Sequence, residues 1–128
     1  MNLQIHTTKI RLLSLAAAVC LGTATSGQAL ELNKGDHVVL IGNALAERMQ
    51  HHGWLESYIQ ATMADKELAF RNHGFGGDKV NNRPRNNGFP SADTYLEISK
   101  ADVILAFWGY NESFDNSPDA YRADLTKW

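Results

Sequence analysis

Apolar residues along this chain recur with two different spacings. The β-branched run His37-Val38-Val39-Leu40-Ile41 stops at Gly42-Asn43 and predicts a short, fully buried strand. Residues 44–52 then predict a helix, with Leu45 and Met49 four apart and Gly53 as its C-cap. A second helix is expected over 54–64, turning Leu55, Tyr58, Ile59 and Met63 to one face. Residues 68–71 read as a second strand. Residues 72–90, rich in Gly, Asn and Arg and without periodicity, read as a long loop. Residues 91–100 look helical with Tyr95 and Ile98 turned inward, and 102–108 form the most hydrophobic strand, ending at the turn Gly109-Tyr110-Asn111. Ser117-Pro118 supplies an N-cap and a first-turn proline for a last helix.

Apolar strands alternating with helices imply a parallel sheet covered on both faces, a doubly wound α/β domain whose function collects at the C-terminal strand ends. All three expected strands end in turns rich in Gly and Asn. A chain of 128 residues holds one such domain at most. The first thirty residues are of another kind. Lys9 and Arg11 precede an apolar run over 12–24, and small or polar residues follow up to Ala29. That order is expected of a Sec-type signal peptide over 1–29, cut after Ala29, which would export the remainder to the periplasm or the cell exterior. The apolar run is well short of the roughly 20 residues needed to span a bilayer. Beyond residue 29, ten basic side chains face fourteen acidic ones, giving a charge of about −4 that offers nothing to nucleic acid or an anionic membrane. The single cysteine, Cys20, lies inside the segment expected to be removed, so neither a disulfide nor a thiolate metal site is expected in the mature chain, and no cofactor is called for.

The chemistry lies in three strand-end segments: Gly42-Asn43-Ala44-Leu45, Asn72-His73-Gly74-Phe75-Gly76-Gly77-Asp78 and Gly109-Tyr110-Asn111-Glu112. Taken together, in this order, they resemble the first three sequence blocks of the SGNH (GDSL-type) hydrolases. That family commonly reads Gly-Asp-Ser-Leu after strand one, glycine before Asp or Asn after strand two, and Gly-x-Asn-Asp after strand three. The resemblance covers residues 36–114. It implies a flavodoxin-like three-layer parallel sheet, here as the N-terminal part of a domain over 30–128, and an ester hydrolase ancestry. Ala44 stands where the family has its nucleophilic serine, and Asn43 where it has aspartate. Gly77 matches the glycine whose N–H lines the oxyanion hole, with Asp78 after it. Asn111 matches the asparagine that donates from its side chain, and Glu112 stands where aspartate is common. The family's fourth block, an Asp-x-x-His carrying the base, has no counterpart in this chain.

Acyl transfer by this route needs a hydroxyl near a base, with donors aimed at the developing oxyanion. Ala44 has no hydroxyl. It keeps its N–H at a helix start, Gly77 permits close approach to backbone, and Asn111 offers an amide donor. The expectation is therefore a catalytically deficient, exported esterase-like domain that retains an oxyanion-type site for an ester or acylated carbohydrate. An active hydrolase drawing on residues outside this sequence, and a plain interaction module, are the alternatives. Each residue also has an ordinary role open to it. Asn43 is a good helix N-cap, Asn111 a good Asx-turn former, and the glycines good turn residues. His73 reads as a locally bonded loop histidine. Lys79, Arg83 and Arg85 read as a solvated loop face or, less readily, as a holder of acidic polysaccharide. The length of the 72–90 loop favours a binding role.

Overall fold

The computed structural model describes residues 30–128. The expected leader, its cleavage point and Cys20 lie outside the described residues. Within them, β1 (His37–Gly42), β2 (Ala69–Asn72) and β3 (Val103–Phe107) form one parallel sheet in the order β2-β1-β3. Val38 lies level with Phe70 on one side and Val103 on the other, and Leu40 lies between Asn72 and Leu105. The central place of β1 explains its unbroken apolar run. Val38, Val39, Leu40 and Ile41 alternate between the two faces of the sheet, yet none is more than 5% exposed. Because the first strand sits between the second and third, the winding direction reverses at β1. The crevice that ligands use in such sheets therefore opens between the C-terminal ends of β1 and β3.

The helices are α1 (Ala44–Met49), α2 (Trp54–Thr62), α3 (Ala92–Ile98) and α4 (Pro118–Lys127), with 3₁₀ turns at Ala64–Lys66 and Glu112–Asp115. One core joins Leu32, Val38, Leu40, Leu68 and Phe70, and Met49, Leu55, Ile59, Val103, Leu105 and Phe107 pack against it. Among the described residues no helix is long and apolar enough to cross a membrane.

Several expectations need correction. The first helix stops at Met49, and Gly53 is the N-cap of α2 rather than a C-cap, because the chain turns tightly there, with Trp54 N–H donating to His52 O at 2.7 Å. The inward face of α2 is narrower than its apolar content suggested. Leu55 and Ile59 reach the core, whereas Tyr58 and Met63 are exposed, as is Ile98 at the end of α3. Among the described residues the most hydrophobic strand, β3, is an edge strand with one neighbour. Its alternate residues Ile104 and Ala106 face outward, so the sheet is not covered on both faces there. Ser91 caps α3 by accepting from Thr94 N–H, but Asn43 and Ser117 make no side-chain capping bond at their helices.

Candidate functional site

The turn after β1 has no spare room. Gly42 has φ +146°, and a Cβ there would collide with the carbonyl of Phe107 in β3. Asn43 N–H in turn donates to that same Phe107 oxygen at 3.3 Å. The segment thus enters α1 pressed against the end of β3, and Asn43 is buried, 1% exposed. Freed from capping, its side chain reaches across the crevice, where Nδ2 donates to Glu112 Oε2 at 3.2 Å.

Glu112 is the hub of the site. Besides Asn43, its Oε2 accepts the Gly109 N–H at 2.8 Å, and its Oε1 accepts the Val80 N–H at 2.9 Å. One buried carboxylate therefore ties together the segments that follow β1, β2 and β3. Asn111 adds a second tie. Its Nδ2 donates both to Gly76 O and to Asp78 O, each at 2.8 Å, which holds the carbonyls on either side of Gly77. The Asx-turn that was the ordinary role open to Asn111 does not form; the side chain bonds to the loop after β2 instead. Both amide protons are engaged, so Asn111 positions the loop, and a ligand would meet its donors only by displacing one of these carbonyls.

Two amides stay open. Ala44 begins α1, where an N–H has no partner within the helix, and Gly77 N–H makes no hydrogen bond among the described residues. Ala44 is half-buried and Gly77 exposed. With only six residues, α1 adds little macrodipole, so any attraction for a carbonyl oxygen rests on these N–H groups themselves. The side chain of Ala44 is a methyl group and brings no nucleophile.

Beneath Gly77, Asp78 is fully buried and accepts two parallel 2.7 Å bonds from Arg85, one arm to each carboxylate oxygen. This bond holds the Arg85 pKa above its ordinary value. Lys79 pairs with Asp115 and Arg83 with Asp93. The three loop cations read from sequence as a solvated or polyanion-holding face are thus each neutralised by a carboxylate of the same chain.

His73 is more structured than a solvated loop histidine. Its Nε2 lies 3.0 Å from Ser99 Oγ, while its Nδ1 is buried with no partner among the described residues. Burial first, and the charge of Arg71 second, push its pKa below the ordinary value, so the ring is neutral at pH 7. A hydroxyl beside a neutral imidazole has the outline of a catalytic dyad, but its surroundings are wrong for one. Ser99 is the C-cap of α3, where backbone carbonyls rather than N–H groups lack partners, and they would repel an oxyanion. Among the described residues there is also no cluster of three His, Cys, Asp or Glu side chains placed to hold a metal ion.

Of the positions singled out from the sequence, the structure joins Asn43 to Glu112 directly and Asn111 to the carbonyls of Gly76 and Asp78 that flank Gly77. Ala44 follows Asn43 in the chain, and the Asp78 carboxylate turns to Arg85. The structure gives Glu112 the central place, where the sequence assigned it a supporting one. It also adds Val80, Arg85 and Ser99, none of which the sequence marked as partners. Compared with protein families, with curated proteins and with solved structures, the chain shows no match.

Proposed function

We propose that this chain is an exported, SGNH (GDSL-type) esterase-like domain with a flavodoxin-like sheet, deficient in catalysis. On this reading it binds an ester or an acylated carbohydrate by its carbonyl oxygen through the amides of Ala44 and Gly77. The observation that carries the reading is the convergence of three remote segments on one buried carboxylate. Asn43, 69 residues from Glu112, and Val80, 32 residues from it, share its carboxylate, and Asn111 brackets Gly77 from 33 and 35 residues away. A strand order that opens a crevice between β1 and β3 supports the same reading. The methyl group of Ala44 explains the deficiency, since without a hydroxyl no acyl-enzyme can form.

The test is hydrolysis of short-chain p-nitrophenyl esters by the purified protein. The expected result is a rate equal to buffer alone, both for the wild type and for Ala44→Ser, because no imidazole among the described residues joins this hydrogen-bond network to act as base. Saturable turnover by the wild type that is lost in Gly77→Pro, which removes the amide proton, would overturn the deficiency.

A further inference from the structure

A second feature lies along the loop after β2. A cleft of about 360 Å³ opens between the end of β2, the chain around residues 84–89 and α3, and its surface is mostly apolar. That volume falls within the roughly 300–1,000 Å³ usual for small-molecule sites. Phe75, Phe89 and Tyr95 line it together with His73, Arg85 and Ala92, while Ala44, Gly77 and Asn111 do not. We propose that this cleft is a binding site for an uncharged aromatic group, held between the rings of Phe75, Phe89 and Tyr95.

Three observations select that ligand class. First, two of the rings stand open to solvent in a loop rich in Gly, Asn and Arg: Phe75 is 48% exposed and Phe89 61%. A bound ring would remove that apolar surface from water and gain offset or edge contacts. Second, the cleft carries no free charge. Both arms of Arg85 are taken by Asp78, and its guanidinium lies 4.9 Å over the Phe75 ring, so it forms a flat, neutralised wall. His73 is uncharged at neutral pH, with Nε2 occupied by Ser99. Third, the walls are set before any ligand arrives. His73 and Tyr95 meet edge-on with centroids 5.5 Å apart, and the small side chain of buried Ala92 leaves the space open. The site is independent of the ester reading, since no residue is shared with the two open amides.

Titration of the full chain with 1-naphthol, followed by ¹H–¹⁵N NMR, tests the proposal. Saturable one-site binding is expected, with shifts grouped at residues 73–75, 85–89 and 92–95. Phe89→Ala weakens it about fivefold or more, and Ala92→Leu, which fills the cleft, does the same. Trp54→Ala, which removes an aromatic ring 80% exposed on α2, leaves it unchanged. The anion 1-naphthoate binds no more tightly than 1-naphthol. Absence of saturation, indifference to both Phe89→Ala and Ala92→Leu, or tighter binding of 1-naphthoate overturns the proposal. None of these results bears on ester binding at Ala44 and Gly77.

Discussion

Replacing Glu112 with alanine is the perturbation to which this structure responds most. The carboxylate is 8% exposed and accepts from Gly109 N–H at 2.8 Å, Val80 N–H at 2.9 Å and Asn43 Nδ2 at 3.2 Å. Removing it strands three donors, two of them on the backbone. A buried group left without its partner costs about 1–3 kcal/mol, and charged acceptors lie toward the upper end. Full addition would reach about 9 kcal/mol, but water entering the vacated space re-satisfies part of this, so Glu112→Ala should cost about 3–5 kcal/mol. Glu112→Gln keeps the volume and one acceptor oxygen. Placed to serve Asn43 and Gly109, it turns an amide group toward the Val80 N–H, and should cost about 1–3 kcal/mol. Against a total of about 5–15 kcal/mol for a small domain, the alanine variant stands near the edge of folding. Urea unfolding followed by tryptophan fluorescence measures both variants, with the m-value expected to stay constant. Native-state hydrogen exchange localises the effect: the amides of residues 80 and 109 lose protection, while that of His73, bonded to Leu40 O in line with the sheet, keeps it. A cost below about 1 kcal/mol for Glu112→Ala, or unchanged exchange at 80 and 109, would refute the claim that Glu112 holds the three segments together.

Three further outcomes follow from local geometry. A Cβ at Gly74 would lie 2.5 Å from backbone atoms of Ala46 and Glu47, so Gly74→Ala should cost about 1–3 kcal/mol in thermal or urea unfolding; at Gly76 it would meet only the movable tip of Glu47 at 2.6 Å, so Gly76→Ala should cost clearly less. Arg85→Met strands the buried Asp78 carboxylate and should cost about 3–5 kcal/mol, whereas the double variant Asp78→Asn/Arg85→Met should recover a measurable part of that loss in the same assay. The His73 pKa is lowered in the folded chain, so the unfolded chain takes up the proton first; this contribution to stability is full above the unfolded value of 6.5 and is lost as pH falls below it. Urea midpoints between pH 7.5 and 5.5 should therefore decline more steeply for the wild type than for His73→Gln.

The sequence carried the sheet well because its strands are written in local terms. Val38 to Ile41 alternate faces without a polar residue, and all four are buried in the central strand. The same reasoning misjudged β3, since hydrophobicity alone does not distinguish a central strand from an edge, and Ile104 and Ala106 face outward. Helix ends were harder to read. Gly53 is equally suited to stopping one helix and starting the next, and the choice was made by a turn bond between Trp54 and His52. Polar and glycine residues recurring at strand ends marked the site positions, but their partners were not legible. Asn43 and Asn111 both looked like local cap or turn formers, and both instead bond to groups more than thirty positions away. Such pairings depend on which strands become neighbours, information absent from any window of sequence. The aromatic cleft left one trace, phenylalanines at 75 and 89 inside a loop rich in small, polar and basic residues.

The most direct test of the account is the response of two backbone amides. In ¹H–¹⁵N spectra of the full chain titrated with an acetylated oligosaccharide, the Ala44 and Gly77 signals should shift together along one saturation curve, with the acetyl ester intact at the end. Signals at 44 and 77 that remain still while others saturate, or that follow separate curves, would mean that the two amides do not serve one ligand.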